Sequence, residues 1–429
     1  MSNLDTEVDT KVDTKVDKNL DVLVVGGGPG GAAAGYWAAR RGLSVLIAEK
    51  KTYPREKACG DGLTPRAIRQ LIDMGFDFNG HHRIVGLRAY AGDIRLEMPW
   101  PEHSTYPNWG AVVRRSDLDM QVAQLAEKQG AVVAMGAEAV PNIEAGDLTA
   151  VTLKRRGEQD EVVRPRYVIV ADGSLSRFGR KLGMQRRRDY PFGLAVRGYW
   201  SSPNSQDEYI ESQLDIKDRE GRSMPGYGWV FPLGDGEVNI GAGVVSSFKG
   251  WKDLNTSQLL EAYVDGLPEH WGLTVDSMVR EPIGGKLPMS LSVGPRFGRN
   301  WVAIGDAIGA VNPFNGEGID YAYETGRMAA RYVADAIANG NPATLQGYSH
   351  ELDDIFDDYQ RVARRFVMVI GQPAMMKTFT YLGMRSRPLM EWALKVMANL
   401  LEPEDRGLSE RIYGAIERIV KMTPDPLLK

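Results

Sequence analysis

The stretch LDVLVVGGGPGGAAAGYWAARRGLSVLIAEK, residues 20–50, limits the possible folds of this chain more than any other. LDVLVV is a short continuous apolar run, the pattern of a strand buried on both faces of a parallel sheet. A glycine turn follows, then AAAGYWAARRG, which reads as a small-residue helix, then SVLIAE, a second strand. Strand, turn, helix and strand within about 30 residues form the unit that binds dinucleotides. Gly26, Gly28 and Gly31 have the G-x-G-x-x-G spacing, and Gly35 lies four further on. Gly26 permits the tight turn, Gly28 lets backbone approach a pyrophosphate, and Gly31 and Gly35 let helix and strand pack closely. The pyrophosphate then meets the helix N-terminus, where free N–H groups and the dipole favour anions. Glu49 ends the second strand, 18 residues after Gly31, where an acid can bond the hydroxyls of an adenosine ribose. The glycine turn alone is a weak signal, but here every flanking element falls in place.

At 429 residues the chain is too long for one simple core, so two domains and an appendage are expected. A hydrophobic content of 43% and a charged content of 25% are those of a soluble globular protein. The net charge of −4 carries no nucleic-acid signal, and no nucleic-acid partner is expected. The single cysteine excludes an internal disulfide and fits a reducing compartment. No metal site is expected. No apolar run approaches the ~20 residues of a membrane-spanning helix. The first apolar run follows an acidic, lysine-rich start that does not read as a signal peptide. A cytoplasmic protein is expected, with peripheral membrane contact open. Residues 1–19 contain TEVDTKVDTKVDK, a period-four echo without aromatics, and read as a disordered tail.

YVIVADG and NWVAIGDA are two further strands, each ending in an acid beside glycine. Between them FGLAVRGYW, GYGWVFPLG and GEVNIGAGVV read as β-segments, so residues from about 180 to 281 form a mostly antiparallel sheet. The dinucleotide domain is then discontinuous: residues 20–80, 105–175 and 282–360. Residues 81–104 and 176–281 form the inserted substrate domain. Residues 361–429 form a helical C-terminal cap holding twelve Lys and Arg against seven Asp and Glu, and seven of the 17 Met.

AIGDAIGAVNPFNGEGIDYAYETG separates FAD from NAD. Asp306 ends a strand where a carboxylate can accept bonds from a ribityl chain. Pro313, Gly316 and Gly318 then lead into a helix whose first N–H groups can face a flavin. This segment resembles the second flavin motif of the p-hydroxybenzoate hydroxylase-like flavoproteins. ADG at 171–173 is similar to their intermediate Asp-Gly motif, and Arg115 in RRSDLD matches their arginine. No second G-x-G-x-x-G turn is found, so a dedicated nicotinamide domain is not expected. The fold class implied is α/β: a Rossmann-like FAD-binding domain of that type, an inserted antiparallel β-sheet domain and a helical C-terminal region.

KACGDGLTPRA, together with PGYGWVFPLGDGEVNIG at 225–241, resembles the geranylgeranyl reductase family, whose members use FAD to saturate isoprenoid double bonds. The family's tunnel motif Pro-x-x-Tyr-x-Trp-x-Phe-Pro is matched by Pro225, Tyr227, Trp229, Phe231 and Pro232, with a Pro–Tyr gap shorter by one residue. CGDGLTPR and GMRSRPLMEWALKVMANL look closest to the branch that acts on menaquinone. The resemblance runs from about residue 20 to about 400. It implies FAD contacts at Gly30, Glu49, Cys59, Gly60, Gly62, Arg115, Ala139, Asp306, Gly318 and Ile319, with Asp61 inside the same turn.

The implied reaction is saturation of a double bond in the isoprenyl side chain of menaquinone, with hydride from the reduced flavin and a proton from elsewhere. In an apolar pocket a thiol stays neutral, so Cys59 can be the proton donor; equally, it can be a small residue packed under the ring. Tyr227 and Trp229 lie two apart on a strand and share a face, suited to a polyprenyl chain and to positive charge building on a tertiary carbon. Ordinary sheet core is the other reading of that pair. The Met-rich tail fits a lipid substrate, and Arg364, Arg365, Arg385 and Arg387 are candidates to meet anionic headgroups at the inner face of the cell membrane. The electron donor is expected to be NAD(P)H, bound transiently, or a redox protein. Other readings are reduction of another polyprenyl lipid, flavin monooxygenase or halogenase chemistry, and a non-catalytic lipid-binding flavoprotein.

Overall fold

A computed structural model describes residues 20–401 and 408–422. The tail expected at 1–19 lies outside the described residues.

The first apolar runs form the centre of a five-stranded parallel sheet. Its order is Trp301–Ala303, Tyr167–Val170, Val22–Val25, Val45–Glu49, Val132–Met135. The three central strands are buried at every position, which is why they carry no polar alternation. Helix Pro29–Ala39 follows the first strand and is buried from Gly30 to Ala39. Its small residues admit two close neighbours. A Cβ on Gly31 would stand 1.8 Å from the Gly26 carbonyl oxygen, and one on Gly35 2.4 Å from the Ile47 side chain. On its other side the long helix Ile319–Asn339 approaches so closely that a Cβ on Gly326 would lie 2.7 Å from the Gly30 carbonyl. Branched residues cannot fill this layer.

A seven-stranded sheet stands over the C-terminal edge of the parallel one. Its order is Met278–Pro288, Phe192–Ser201, Glu237–Val245, Gly226–Pro232, Tyr209–Gln213, Gly86–Ala91, Ile94–Pro99. The pairing is antiparallel except between Tyr209–Gln213 and Gly86–Ala91, which run parallel. The expectation of an antiparallel sheet is corrected at that one junction. There two distant pieces of chain meet, and the long connection between them permits the parallel direction that a hairpin forbids. Strand Met278–Pro288 also runs across the expected boundary between residues 281 and 282.

The strand Gly226–Pro232 shows how this sheet divides its faces. Val230 packs with Leu259, Leu260 and Tyr263 of helix Thr256–Asp265, and Gly228 leaves room for the Tyr263 ring. Tyr227, Trp229 and Phe231 point to the opposite face. Beyond the far edge lie helices Pro373–Met384 and Arg387–Met397. Helix Leu345–Ile370 packs instead against helix Ile319–Asn339, its Tyr348 hydroxyl donating to the Ala303 carbonyl of the parallel sheet, and carries helix Leu408–Met422 on its flank. Met384, Leu394, Ala398 and Leu400 close a core with Ala89, Ala91 and Met98 of the edge strands.

Candidate active site

Between the two sheets and the C-terminal helices lies one cavity of about 1150 Å³. It is bounded at one end by the phosphate turn, with Gly26, Gly28 and Gly30, and by Glu49 and Ala139. Its middle is walled by Cys59, Gly60, Asp61, Gly62 and Arg115 on one side and by Tyr227 and Trp229 on the other. Asp306, Gly318 and Ile319 complete that section. Its far end is apolar, with Leu87, Ala89, Met98 and Ile210 from the sheet and Met376, Met390, Leu394 and Met397 from the helices. Among the motif residues singled out in the sequence, Gly31, Gly35, Pro225 and Pro232 are not in the wall; Gly31 is buried under the turn, where only a hydrogen fits against Gly26.

The dinucleotide end fits the cofactor implied by the sequence. Gly28 caps helix Pro29–Ala39, and no side chain satisfies that terminus, so its N–H groups are open to an anion. Glu49 holds the turn from below, accepting from the Gly27 N–H at 2.8 Å and the Lys51 N–H at 2.8 Å. The Arg55 guanidinium lies beside the same turn, 3.5 Å from Glu49 and 3.1 Å from Asp119. Arg115 is buried in a two-pronged pair with Asp119, at 2.9 Å for each bond. Asp306 lies 3.9 Å from the Lys57 ammonium, at the foot of helix Ile319–Asn339.

The KACGDG turn is held by residues that sequence reasoning missed. Asp61 sits at φ +65°, and its carboxylate turns toward the inserted sheet. It accepts from the Tyr199 hydroxyl at 2.5 Å, the Asn239 amide at 2.8 Å and the Arg115 N–H at 3.2 Å. The Asp61 side chain is thus committed to joining two domains, and its burial pushes its carboxyl up from the usual range. Asn239 also donates to the Cys59 carbonyl at 2.9 Å and accepts from the Trp229 indole at 3.0 Å. Arg197, buried in the strand FGLAVRGYW, donates to the carbonyls of Cys59 and Lys57 and to Glu56. Its plane stacks 4.4 Å from the Tyr199 ring. A lone Arg and a lone Asn within apolar strands were the available signal: a buried polar group must find a partner.

Gly60 and Gly62 are glycines because Phe231 lies against them, 2.9 Å from where either Cβ would be. Across the sheet Trp229 faces Gly241 in register, and a Cβ on Gly241 would lie 2.1 Å from the indole. Tyr227 and Trp229 share a face as expected, with ring centroids 5.8 Å apart. The Tyr227 hydroxyl donates to the Asn315 carbonyl, so the ring is fixed at the border between the two domains. The Cys59 sulfur accepts from the Asp61 N–H at 3.4 Å. Burial pushes this thiol up, so it stays protonated at neutral pH.

Two expectations for the C-terminal region divide. Arg385 and Arg387 are exposed. Arg364 is buried, 4.1 Å above the Tyr190 ring, and is not placed to meet a headgroup; the helix face it occupies packs inward.

A glycine turn fitted to a dinucleotide, a second flavin-type turn and an apolar extension of the same cavity define an FAD-dependent oxidoreductase with room for a long apolar substrate. Residues 19–197 match the family described as FAD binding domain. The menaquinone reductase of Mycobacterium tuberculosis is 40% identical over 415 residues, spanning 94% of this chain and 98% of its own. The digeranylgeranylglycerophospholipid reductase of Methanocella arvoryzae is 31% identical over 330 residues, 75% of this chain and 79% of its own. The solved structure of a geranylgeranyl bacteriochlorophyll reductase-like protein from Thermoplasma acidophilum superposes with a TM-score of 0.74 at 23% identity, covering 93% of this chain and 99% of that one. The chain belongs to the geranylgeranyl reductase family of FAD-dependent enzymes.

Proposed function

We propose that this protein saturates one double bond in the isoprenyl side chain of menaquinone. The observation that carries the reading is the continuity of the cavity: the flavin end, walled by Cys59 and Gly60, opens without a partition into a channel of Leu, Ala and Met. A prenyl chain can lie there along Tyr227 and Trp229. The 40% identity to a menaquinone reductase over nearly the whole chain supports the quinone as its bearer.

Bound FAD, once reduced, supplies a hydride at its N5. The chain's own residues do the rest. Phe231, packed on Gly60 and Gly62, keeps the CGDG turn flat against the space for the ring. The Trp229 and Tyr227 faces line the channel and stabilise positive charge developing on a tertiary carbon. The apolar wall excludes water, which favours neutral groups such as the Cys59 thiol near the reacting carbons. Cys59 and Tyr227 are therefore the residues nearest the proton transfer.

The substrate enters from a lipid surface. Among the described residues no helix is long and apolar enough to cross a membrane. Leu382, Leu389, Ile412, Ile419 and Met422 are exposed on the C-terminal helices, and Leu389 also lines the cavity. Lys377, Arg385, Arg387, Arg411 and Arg418 are exposed on the same helices. Apolar side chains ringed by cations suit an anionic bilayer. The flavin is reduced by NAD(P)H in a transient encounter or by a redox protein.

The test is anaerobic. Chemically reduced protein is incubated with long-chain menaquinone in detergent, and the lipid is weighed and fragmented by mass spectrometry. A gain of two hydrogens in the prenyl tail is expected. An unchanged tail, from protein holding reducible FAD, overturns the reading. A gain of hydrogens on a geranylgeranyl lipid under the same conditions would then reassign the substrate.

A further inference from the structure

The wall of the cavity holds a carboxyl group that the reaction as described does not use. Glu317 belongs to the turn that leads into helix Ile319–Asn339 and lines the cavity. Its side chain meets the Thr64 hydroxyl and the Asn315 amide, the latter at 3.3 Å. The Asn315 carbonyl accepts from Tyr227, so one residue joins Glu317 to the aromatic wall.

Behind Glu317 stand two more carboxyls, Asp320 and Glu324, and, among the described residues, a single cation, Arg66. Arg66 makes two bonds to Glu324, at 2.6 and 2.8 Å. Its Nε lies 3.4 Å from Asp320, at salt-bridge distance only. Both Asp320 oxygens are buried, and among the described residues no side chain donates a hydrogen bond to them. Facing this group are the Tyr106 and Tyr321 rings on either side of Arg66, Tyr359 from helix Leu345–Ile370, and Tyr227 with Cys59 across the cavity. Every one of these neighbours is neutral at pH 7, except Arg66. Three carboxylates, Asp320 fully buried and Glu317 and Glu324 half-buried, set against one guanidinium would leave two negative charges uncompensated, and the one on Asp320 would cost several kcal/mol. Such a cluster keeps protons instead. Glu324 is neutralised by Arg66, so Glu317 and Asp320 are the groups that hold them, and burial pushes both above the usual carboxyl range.

We propose that Glu317, with Asp320 behind it, is the proton store for the reduction. The inference rests on the reductase reading. In the step, the alkene π bond breaks and two C–H bonds form. One carbon takes the hydride, which carries both electrons from the reduced flavin. The other takes a proton whose source is the Glu317 carboxyl, delivered across the cavity wall or through Cys59, leaving a carboxylate. Asp320 and then the solvent-reaching edge at Glu324 return a proton to it. The store answers a requirement of the apolar channel: water, the usual proton source, is kept out.

The experiment uses FAD-loaded protein. Infrared spectra of the wild type across the neutral range should contain a protonated-carboxyl band that is lost in Glu317→Gln, a substitution that keeps the contacts to Thr64 and Asn315. In an anaerobic single turnover with menaquinone, Glu317→Gln should bind FAD normally and oxidise its reduced flavin about 100-fold more slowly, the low end of general-acid contributions. Its rate should also lose the wild-type fall at high pH. An unchanged band, or an unchanged rate and pH profile, overturns the proposal. If Glu317→Gln does not retain FAD, Asp320→Asn carries the test, because losing the rear carboxyl must shift the same band and the same pH profile. A wild type that reduces no prenyl lipid overturns the reductase reading instead, and the band then reports on the proton at Glu317 alone.

Discussion

Asn239→Ala tests the reading that the inserted sheet holds the flavin-binding turn. Asn239 is fully buried and makes three bonds: to the Cys59 carbonyl at 2.9 Å, to the Asp61 carboxylate at 2.8 Å and from the Trp229 indole at 3.0 Å. The losses differ. The Trp229 N–H is left buried without its acceptor, which costs about 1–3 kcal/mol. The bond to the Asp61 carboxylate is charge-assisted and worth about 1.5–3 kcal/mol, although Tyr199 and the Arg115 N–H remain on that group. The Cys59 carbonyl keeps Arg197 and loses little. Allowing for coupling between neighbours, the expected destabilisation is about 4 kcal/mol. Equilibrium unfolding in urea, followed by tryptophan fluorescence, measures it. A parallel titration with FAD should show weaker binding, because Cys59, Gly60 and Gly62 lose their fixed backbone. Asn239→Asp should be worse than Ala: it still accepts from Trp229, but it can donate to neither Cys59 nor Asp61 and sets two carboxylates together. A loss below about 1 kcal/mol with unchanged FAD affinity would refute the reasoning, since it would mean that the turn stands without the sheet.

Three further outcomes are expected. Gly31→Ala should yield protein without FAD, read from absorbance at the flavin bands, because its Cβ would stand 1.8 Å from the Gly26 carbonyl, whereas Gly414→Ala, with nothing within 4 Å of its Cβ and a helical position, should keep its FAD and gain about 0.5–1 kcal/mol in urea unfolding. The contribution of Glu317 to stability should fall as pH rises above the ordinary glutamate value of 4.5: burial raises it to about 7 in the native chain, so the native state holds a proton that the unfolded chain has released, and Glu317→Gln should remove that component from the unfolding midpoint between about pH 4.5 and pH 7. Leu382→Glu with Leu389→Glu should abolish flotation with anionic vesicles while leaving FAD content unchanged, whereas equal flotation would remove the lipid-surface part of the proposal.

The sequence alone determined the dinucleotide end. Gly26, Gly28, Gly31 and Glu49 lie on one continuous strand–turn–helix–strand unit, so their geometry is local, and local spacing can be read. Asp306 and Gly318 were legible for the same reason, as was the shared face of Tyr227 and Trp229, which needs only the period of a strand. What the tertiary structure decided is the coupling between distant pieces. Asn239 and Arg197 look like oddities in apolar strands until the fold sets them 180 and 138 residues away against Cys59. Arg364 carries the same charge as Arg385, and only packing separates the buried residue from the exposed one. Glu317, Asp320 and Glu324 are an ordinary acidic helix start in the sequence. They become a buried group sharing one cation only because Arg66 arrives from a helix more than 250 residues earlier. The protonation of a carboxyl depends on its distance from water and from the nearest opposite charge, and chain position specifies neither.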